Sequence, residues 1–104
     1  MTKNRYSPLT EASFLILLSL RESRHGYGII KHVERLTRGR LVLAPGTLYG
    51  ALTNLQKNKL INVERIEGAK RKKTYHITEL GNTLVDYELN RLEELIAISK
   101  GLII

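Results

Sequence analysis

PGTLYGALTNLQKNK, at residues 45–59, has the pattern of a helix with two unlike faces. A proline at its first position suits the first turn of a helix, and Leu48, Leu52 and Leu55 recur at helical spacing. The opposite face carries small, polar and weakly cationic residues, namely Gly46, Thr47, Tyr49, Gly50, Thr53, Asn54 and Lys57. We therefore predict a third helix that buries its leucines and leaves its other face open to a partner.

Two further helices are predicted on the N-terminal side of this segment. Residues 11–23 are apolar almost all round and follow Thr10, a good N-cap, so they should form the buried spine of the domain. His25-Gly26 interrupts the helical pattern, and a second helix is predicted over residues 27–37. The Leu-Val-Leu sequence at residues 41–43 is a candidate for a short strand.

A β-hairpin and a long helix are predicted on the C-terminal side. Residues 61–67 and 72–77 alternate apolar and polar side chains, so they should pair as strands. The tip of this hairpin carries four consecutive cations, Lys70, Arg71, Lys72 and Lys73. Thr78 is expected to cap a helix over residues 79–100, whose apolar stripes exceed what a small core can cover. We therefore predict that this helix packs on a second chain through Leu84, Val85, Leu89, Leu92 and Ile96.

Charge and composition narrow the class of partner. The 104 residues include 17 Lys and Arg against 10 Asp and Glu, and the resulting net charge of +7 favours a polyanion. Residues 1–78 hold most of the cations, whereas residues 79–104 are acidic overall. The sequence has no cysteine and therefore no disulfide or thiolate metal site. It shows no apolar run of about 20 residues and no secretory signal, so we expect a cytoplasmic protein that neither spans nor binds a membrane.

Three helices followed by a hairpin is the order of elements in a winged helix-turn-helix. We predict a mainly α fold with a small β-hairpin, in which residues 1–78 bind DNA and residues 79–104 form a dimerisation helix within one structural unit. The major groove of duplex DNA, about 12 Å wide, admits one α-helix, so the open face of the third helix should read bases. The cationic hairpin tip, which we call the wing, should contact phosphate. Weaker phosphate contacts are predicted for Lys3, Arg5, Tyr6 and Lys31.

Several short motifs, in order and at their spacing, resemble the PadR family of transcriptional regulators. They are HGYGI at residues 25–29, PGTLY at 45–49 with Ala51, Leu52 and Leu55, Leu60-Ile61, and YHIT at 75–78 with Gly81. The resemblance runs from about Leu9 to Leu95. The chain length resembles the short subfamily, in which a single helix, here residues 79–100, forms the dimer.

The resemblance implies a homodimer that binds a palindromic operator on double-stranded DNA and represses transcription, often released by a small aromatic or drug-like effector. Two positions depart from the family pattern. Lys59 stands where the family often has glycine after the third helix, and Gly50 stands where many members carry a larger, often basic residue. A base contact made from that second position in relatives therefore does not carry over to this chain.

The tyrosines and histidines could also have roles other than DNA contact. Tyr27 is predicted to be a core residue and Tyr49 a phosphate contact. The histidines at positions 25, 32 and 76 lie on different elements without carboxylates at ligand spacing, so no metal or other cofactor is predicted. No nucleophile, paired carboxylates or phosphate-binding loop indicates an enzyme. The alternative to DNA recognition is a winged-helix module for protein association, with the basic face serving an acidic protein.

Overall fold

Four helices and three strands alternate along residues 4–102, the part of the chain that the computed structural model describes. In chain order they are α1 (Glu11–Ser19), β1 (Arg24–His25), α2 (Gly26–Leu36), α3 (Pro45–Lys57), β2 (Ile61–Glu67), β3 (Lys72–Ile77) and α4 (Glu79–Ser99). The two hairpin strands have the predicted bounds, and all four predicted helices are present. The predicted winged-helix class, mainly α with a small sheet, is therefore confirmed.

The sheet is antiparallel, with β3 between β1 and β2. Arg24 and His25 pair with Tyr75 and Thr74, so the third strand precedes α2. The prediction of a strand at residues 41–43 is wrong, because β1 occupies the free edge of β3. Residues 41–43 form a connection without strand pairing, and within it Leu43 is buried in the core.

The first helix is shorter than predicted, since it ends at Ser19 instead of residue 23. The chain must turn after this point to bring β1 to the sheet, and the Ile77 amide donates a 2.8 Å hydrogen bond to the Leu20 carbonyl there. At the other end, the Thr10 side chain accepts a 3.1 Å hydrogen bond from the Ser13 amide, as expected of an N-cap. Hydrogen bonds therefore fix both ends of this helix, while its apolar side chains pack in the core.

One apolar core joins the four helices to the sheet. The leucine face of α3 is part of it, which confirms the predicted orientation of that helix. The buried members are Ile16, Leu17, Leu20, Ile29, Val33, Leu43, Leu48, Leu52, Leu55, Leu60, Ile61, Tyr75, Ile77, Leu84 and Val85.

The end of α3 and the start of α4 lie against each other. Lys59 follows the C-cap of α3 with φ of +61°, and the Leu60 amide donates to the Leu55 carbonyl at 2.9 Å. The Thr78 hydroxyl donates to the Lys59 carbonyl at 2.7 Å and accepts from the Gly81 amide at 3.1 Å. A side chain on Gly81 would clash with the Leu60 carbonyl. These contacts fix the direction in which α4 leaves the domain.

A buried carboxylate ties the N-terminal segment to α4. Glu88 is 1% exposed and accepts hydrogen bonds from the Ser7 hydroxyl and, at 2.6 Å, from the Leu9 amide. Arg91 donates to the same carboxylate at 2.7 and 3.1 Å. The Arg91 guanidinium, helped by Ser7 and Leu9, outweighs the opposing effect of burial and lowers the pKa of Glu88 from 4.5 to about 2. The carboxylate is therefore charged at neutral pH although it is buried.

Candidate nucleic-acid interface

The face of α3 opposite the buried leucines is open. A Cβ added at Gly46 or Gly50 would meet no atom within 4 Å. The remaining predicted contact residues on this face are also exposed, namely Thr47, Tyr49, Thr53, Asn54 and Lys57. Among residues 4–102, nothing covers the helix surface that we predict to enter the major groove.

The polar groups on this face are partly held by the helix itself. The Thr53 hydroxyl donates to the Tyr49 carbonyl at 2.9 Å, which leaves its oxygen free to accept. The Asn54 side chain accepts a 3.4 Å hydrogen bond from the Asn58 amide group. Both side chains stay short and close to the helix, as a groove-reading element requires.

Two tyrosines flank the start of α2, and one of them lies elsewhere than predicted. Tyr49 is 50% exposed and rests against Gly26, where any side chain would clash with its hydroxyl. Tyr27 is 68% exposed, so its assignment to the core is wrong. The reason is its position on the helix, since the buried face of α2 is formed by Gly26, Ile29 and Val33 and Tyr27 points away from it. Both tyrosines line one recess of about 320 Å³ that also includes Lys72 and Lys73.

The wing projects beside this recess. Residues 68–71 form the turn between β2 and β3, and Lys72 and Lys73 begin β3. All four wing cations are exposed, and none has a carboxylate within 4 Å among residues 4–102. Arg71 has φ of +51°, which places it at the tight part of the turn. The wing is thus an uncompensated cationic tip next to the open face of α3.

Of the weaker phosphate contacts predicted from sequence, three lie within the described residues. The Arg5 guanidinium sits 5.0 Å from the centroid of the Tyr6 ring, and the Lys31 ammonium sits 5.5 Å from that of Tyr27. Lys3 lies outside the described residues.

The C-terminal half of α4 exposes a second surface of different chemistry. Among the residues predicted to contact a second chain, Leu89, Leu92 and Ile96 are exposed. Leu84 and Val85 are 0% exposed and belong to the core of their own chain, so their assignment to the partner face is corrected. The same apolar stripe thus packs in the core along the first half of α4 and is exposed along the second half. Leu95 and Ile98 widen the uncovered part, and the sequence prediction did not include them.

A groove lies between α1, the end of α2 and α4, next to that apolar surface. Its volume is about 460 Å³, and its lining includes two ion pairs, Glu11 with Arg40 and Glu88 with Arg91. Arg40 holds Glu11 through two hydrogen bonds of 2.9 and 2.8 Å, which lowers the pKa of Glu11. The floor is apolar and consists of Leu9, Phe14, Leu15, Leu36 and Leu92.

The histidines have structural contacts. The Nδ1 atom of His32 lies 2.8 Å from the Ser19 hydroxyl, and burial, with the nearby Arg24 and Arg35, lowers the pKa of His32. His76 lies 3.5 Å from Glu64 and 3.2 Å from the Ser23 hydroxyl through the same ring nitrogen. Residues 4–102 contain no group of three or more His, Asp or Glu side chains that could hold a metal ion. Over the same span, no helix is both long and apolar enough to cross a bilayer.

The sequence is similar to that of a transcriptional regulator. The Escherichia coli K12 protein named transcriptional regulator YqjI is 35% identical over 81 residues, which cover 76% of this chain and 38% of YqjI. The chain thus spans about two fifths of the length of this relative.

Two solved structures show the same fold. A PadR family transcription regulator from Clostridium difficile superposes with a TM-score of 0.74 at 22% identity, over 88% of this chain and 97% of that one. The second is the structure of BpsR from Bordetella bronchiseptica, a protein whose DNA binding is regulated by 6-hydroxynicotinic acid. It superposes with a TM-score of 0.68 at 24% identity, over 91% of this chain and 63% of that one.

The family model described as the transcriptional regulator PadR-like family matches residues 15–86. That segment holds the second half of α1, all of α2 and α3, the sheet with its wing and the buried start of α4. It includes every motif on which the sequence resemblance rested. Members of this family are transcription regulators and not enzymes. The chain belongs to the PadR-like family of transcriptional regulators.

Proposed function

We propose that the protein is a repressor that binds double-stranded DNA sequence-specifically as a homodimer. In this proposal α3 enters the major groove and reads base edges, chiefly through Thr53 and Asn54. The wing contacts backbone phosphates and supplies affinity that does not depend on sequence.

The observation that carries this proposal is the open face of α3 beside an uncompensated cationic wing. A helix enters the major groove only if its outer face is free of other protein atoms. Around Gly46 and Gly50 there is open space, so the backbone of α3 can approach the base edges closely. The neighbouring wing offers the phosphates that border the groove four cations with no carboxylate within 4 Å among the described residues.

A second chain is proposed to cover the apolar half of α4. In this arrangement residues 1–78 form the DNA-binding part and residues 79–104 the dimerisation helix. Pairing the two α4 helices would place two copies of α3 about 34 Å apart, which is one turn of DNA. A two-fold symmetric dimer reads a palindrome, so the operator is proposed to be one. Bound there, the dimer would block transcription.

Release by a small aromatic or drug-like effector is the remaining part of the proposal. The groove beside Leu92 supports it, because a molecule bound there would touch both the domain and the proposed dimer helix. In BpsR, DNA binding is regulated by 6-hydroxynicotinic acid. A panel of small aromatic acids that includes this compound should lower operator affinity if the groove is the effector site. An affinity unchanged across the panel and across apolar drugs would contradict effector release.

The decisive experiment is selection of bound sequences from a random duplex pool, followed by fluorescence anisotropy on the selected operator and on a scrambled duplex. We expect a two-fold symmetric consensus and binding that weakens steeply between 50 and 200 mM salt, as phosphate contacts require. If no duplex binds at the lower salt concentration, the DNA proposal fails and a protein-association module takes its place.

Two variants separate the roles of α3 and the wing. Replacing Thr53 and Asn54 with alanine should reduce the preference for operator over scrambled DNA by about tenfold or more, since each good base contact is worth about 1–3 kcal/mol. Replacing all four wing cations with alanine should weaken binding to both duplexes alike. It should also flatten the salt slope by about 3 or more, at about 0.9 per phosphate. If the wing variant lost the preference for operator and the α3 variant weakened binding to both duplexes alike, the wing would read sequence and α3 would not.

A further inference from the structure

A row of exposed residues runs along α2 on the side opposite its buried face. Tyr27, Lys31 and Arg35 are spaced four residues apart, so they lie within an arc of about 80° on the helix. Arg38 follows just beyond the helix end and shares a shallow recess with Lys31 and Arg35. We call Lys31, Arg35 and Arg38 the α2 row. At 1.5 Å per residue, the row extends over about 10 Å.

The cations of this row have no ion-pair partner in the part of the chain that the structure describes. Five arginines form ion pairs within 4 Å in the described part of the chain, namely Arg21, Arg24, Arg40, Arg65 and Arg91. None of the three α2 row residues has such a partner there. The one acid beside the row is Glu34, which lines the same recess without pairing with a cation. Three cations against one carboxylate leave this face of α2 positive.

The row is continuous with the surface proposed to bind DNA. Tyr27, at the N-terminal end of α2, lines the recess that also holds Tyr49 of α3 and the wing lysines Lys72 and Lys73. The ammonium of Lys31 lies over the ring of this same tyrosine. The cationic surface is therefore continuous from the wing, past Tyr27 and along α2 to Arg38, which lies about 16 Å from Tyr27 along the helix axis.

We infer that the α2 row is a second phosphate-binding track, which holds the backbone of duplex DNA flanking the operator. The inference rests on the proposed function and extends its footprint. Because α3 and the wing occupy the operator, the phosphates that reach the row belong to base pairs outside it. Duplex DNA carries a negative charge about every 1.7 Å along its axis, so a track of this length faces several phosphates. These contacts carry no sequence information, and they would favour DNA that bends toward α2.

The test compares two duplexes, one limited to the selected operator and one with about ten additional base pairs on each side. The variant combines Lys31→Gln, Arg35→Gln and Arg38→Asn. Asparagine is used at the last position because Arg38 has φ of +53°, which asparagine tolerates. The wild-type protein should bind the longer duplex more tightly and with a steeper salt slope. A dimer presents six row cations, which sets an upper limit of about 5 on the added slope at about 0.9 per phosphate.

In the variant, the slope on the longer duplex should fall by about 2 or more and the affinity at 100 mM salt by about tenfold, while affinity for the shorter duplex stays within about twofold. Glu34→Gln should strengthen binding to the longer duplex, because it removes the acid of the row. Arg21→Gln, which removes an exposed cation outside the wing, α3, the α2 row and α4, should change neither duplex.

Equal losses on both duplexes, or no loss on either, would overturn the inference. A wild-type protein that binds the shorter duplex with operator preference but gains nothing from the flanks would overturn the α2 row alone. If even the shorter duplex is not bound, it is the proposed function that fails. Circular dichroism checks that the triple variant is folded. If it is not, the separate Lys31→Gln and Arg35→Gln variants, both at exposed helix positions, carry the same comparison.

Discussion

The outer face of α3 and the C-terminal half of α4 are both uncovered, yet their chemistry is opposite. On α3 the open residues are glycines and short polar side chains, whereas on α4 they are mostly leucine and isoleucine. Covering an apolar face stabilises a complex in proportion to the area removed from water, at about 25 cal/mol per Å². Covering a small polar face gains little unless the partner returns hydrogen bonds. Exposure alone therefore identifies a surface, and its composition identifies the class of partner.

The same comparison holds within α4. Its first half contributes Leu84 and Val85 to the core, and its second half continues the apolar stripe where the domain no longer covers it. Leu89 and Ile96 are 37% and 54% exposed, so covering them gains roughly a third to a half of the about 1.5–3 kcal/mol of a fully exposed side chain. This gain favours a partner that covers the surface, which we propose to be a second α4. In contrast, α3 has a buried face that is complete within the chain. In the proposed function the two helices thus divide recognition, with DNA for α3 and a second copy of the chain for α4.

The largest effect is expected from charging the apolar half of α4. Leu89→Glu combined with Ile96→Glu should convert the dimer to a monomer, because carboxylates cannot be buried there without a partner charge. Affinity for a palindromic operator should fall by about 100-fold or more as the second half-site contact is lost, and affinity for an isolated half-site should be unchanged. Sedimentation velocity and anisotropy measure the two quantities.

A control places one added carboxylate on the polar side of this half of α4. Asn90→Glu adds a carboxylate at an exposed position and should leave the dimer and its operator affinity intact. If the doubly charged variant remains dimeric, the apolar surface serves something other than a second copy. The contrast between α3 and α4 would then need another explanation.

An intermediate effect is expected at Glu88, the buried acid where the covered half of α4 ends. Glu88→Gln keeps the shape but removes the charge that Arg91, Ser7 and Leu9 stabilise. With a folded-state pKa of about 2 against an ordinary 4.5, the charge contributes about 3 kcal/mol of stability at neutral pH. Urea unfolding at pH 7 should show a loss of this size in the variant.

The pH dependence of that loss has a definite sign. Because folding lowers the pKa of Glu88, the unfolded chain binds the proton more readily, and stability falls as pH decreases from about 4.5 towards 2. The difference between wild type and Glu88→Gln should therefore be constant above about pH 5 and shrink at lower pH. A difference that persists unchanged at pH 3 would mean that the side chain acts by packing and not by charge.

Much of the fold could be predicted because it depends on patterns among residues close together in the sequence. The hairpin strands follow from alternation, the inner face of α3 from three leucines, and the starts of α1 and α4 from Thr10 and Thr78. In each of these cases the information lies within a few residues of the element itself. The short strand β1 could not be predicted in this way, since two residues show no period and their pairing depends on β3, about 50 residues later.

The errors at the candidate site have the same origin. An apolar stripe such as that of α4 looks the same whether it faces a core or a partner chain, so Leu84 and Val85 could not be separated from Leu89. Tyr27 was assigned by residue type, and only its angle relative to Ile29 and Val33 shows that it points outward. The role of Glu88 depends on hydrogen bonds to residues about 80 positions away, and no sequence pattern connects them.

The smallest effect is expected where α3 and α4 end. Both helices finish with a residue in the left-handed region, but α4 uses Gly101, with φ of +73°, and α3 uses Lys59, with φ of +61°. A side chain costs about 1 kcal/mol in this conformation, and glycine avoids that cost. Lys59→Gly should therefore raise the free energy of unfolding by about 0.5–1 kcal/mol in urea titrations. Lys59→Ala should give no such gain, because alanine keeps the Cβ atom. Equal stabilisation by both variants would mean that removal of a cation next to Lys57, and not backbone conformation, is the cause. In that case repulsion between Lys57 and Lys59, and not the backbone conformation of the last turn, limits the stability of the end of α3.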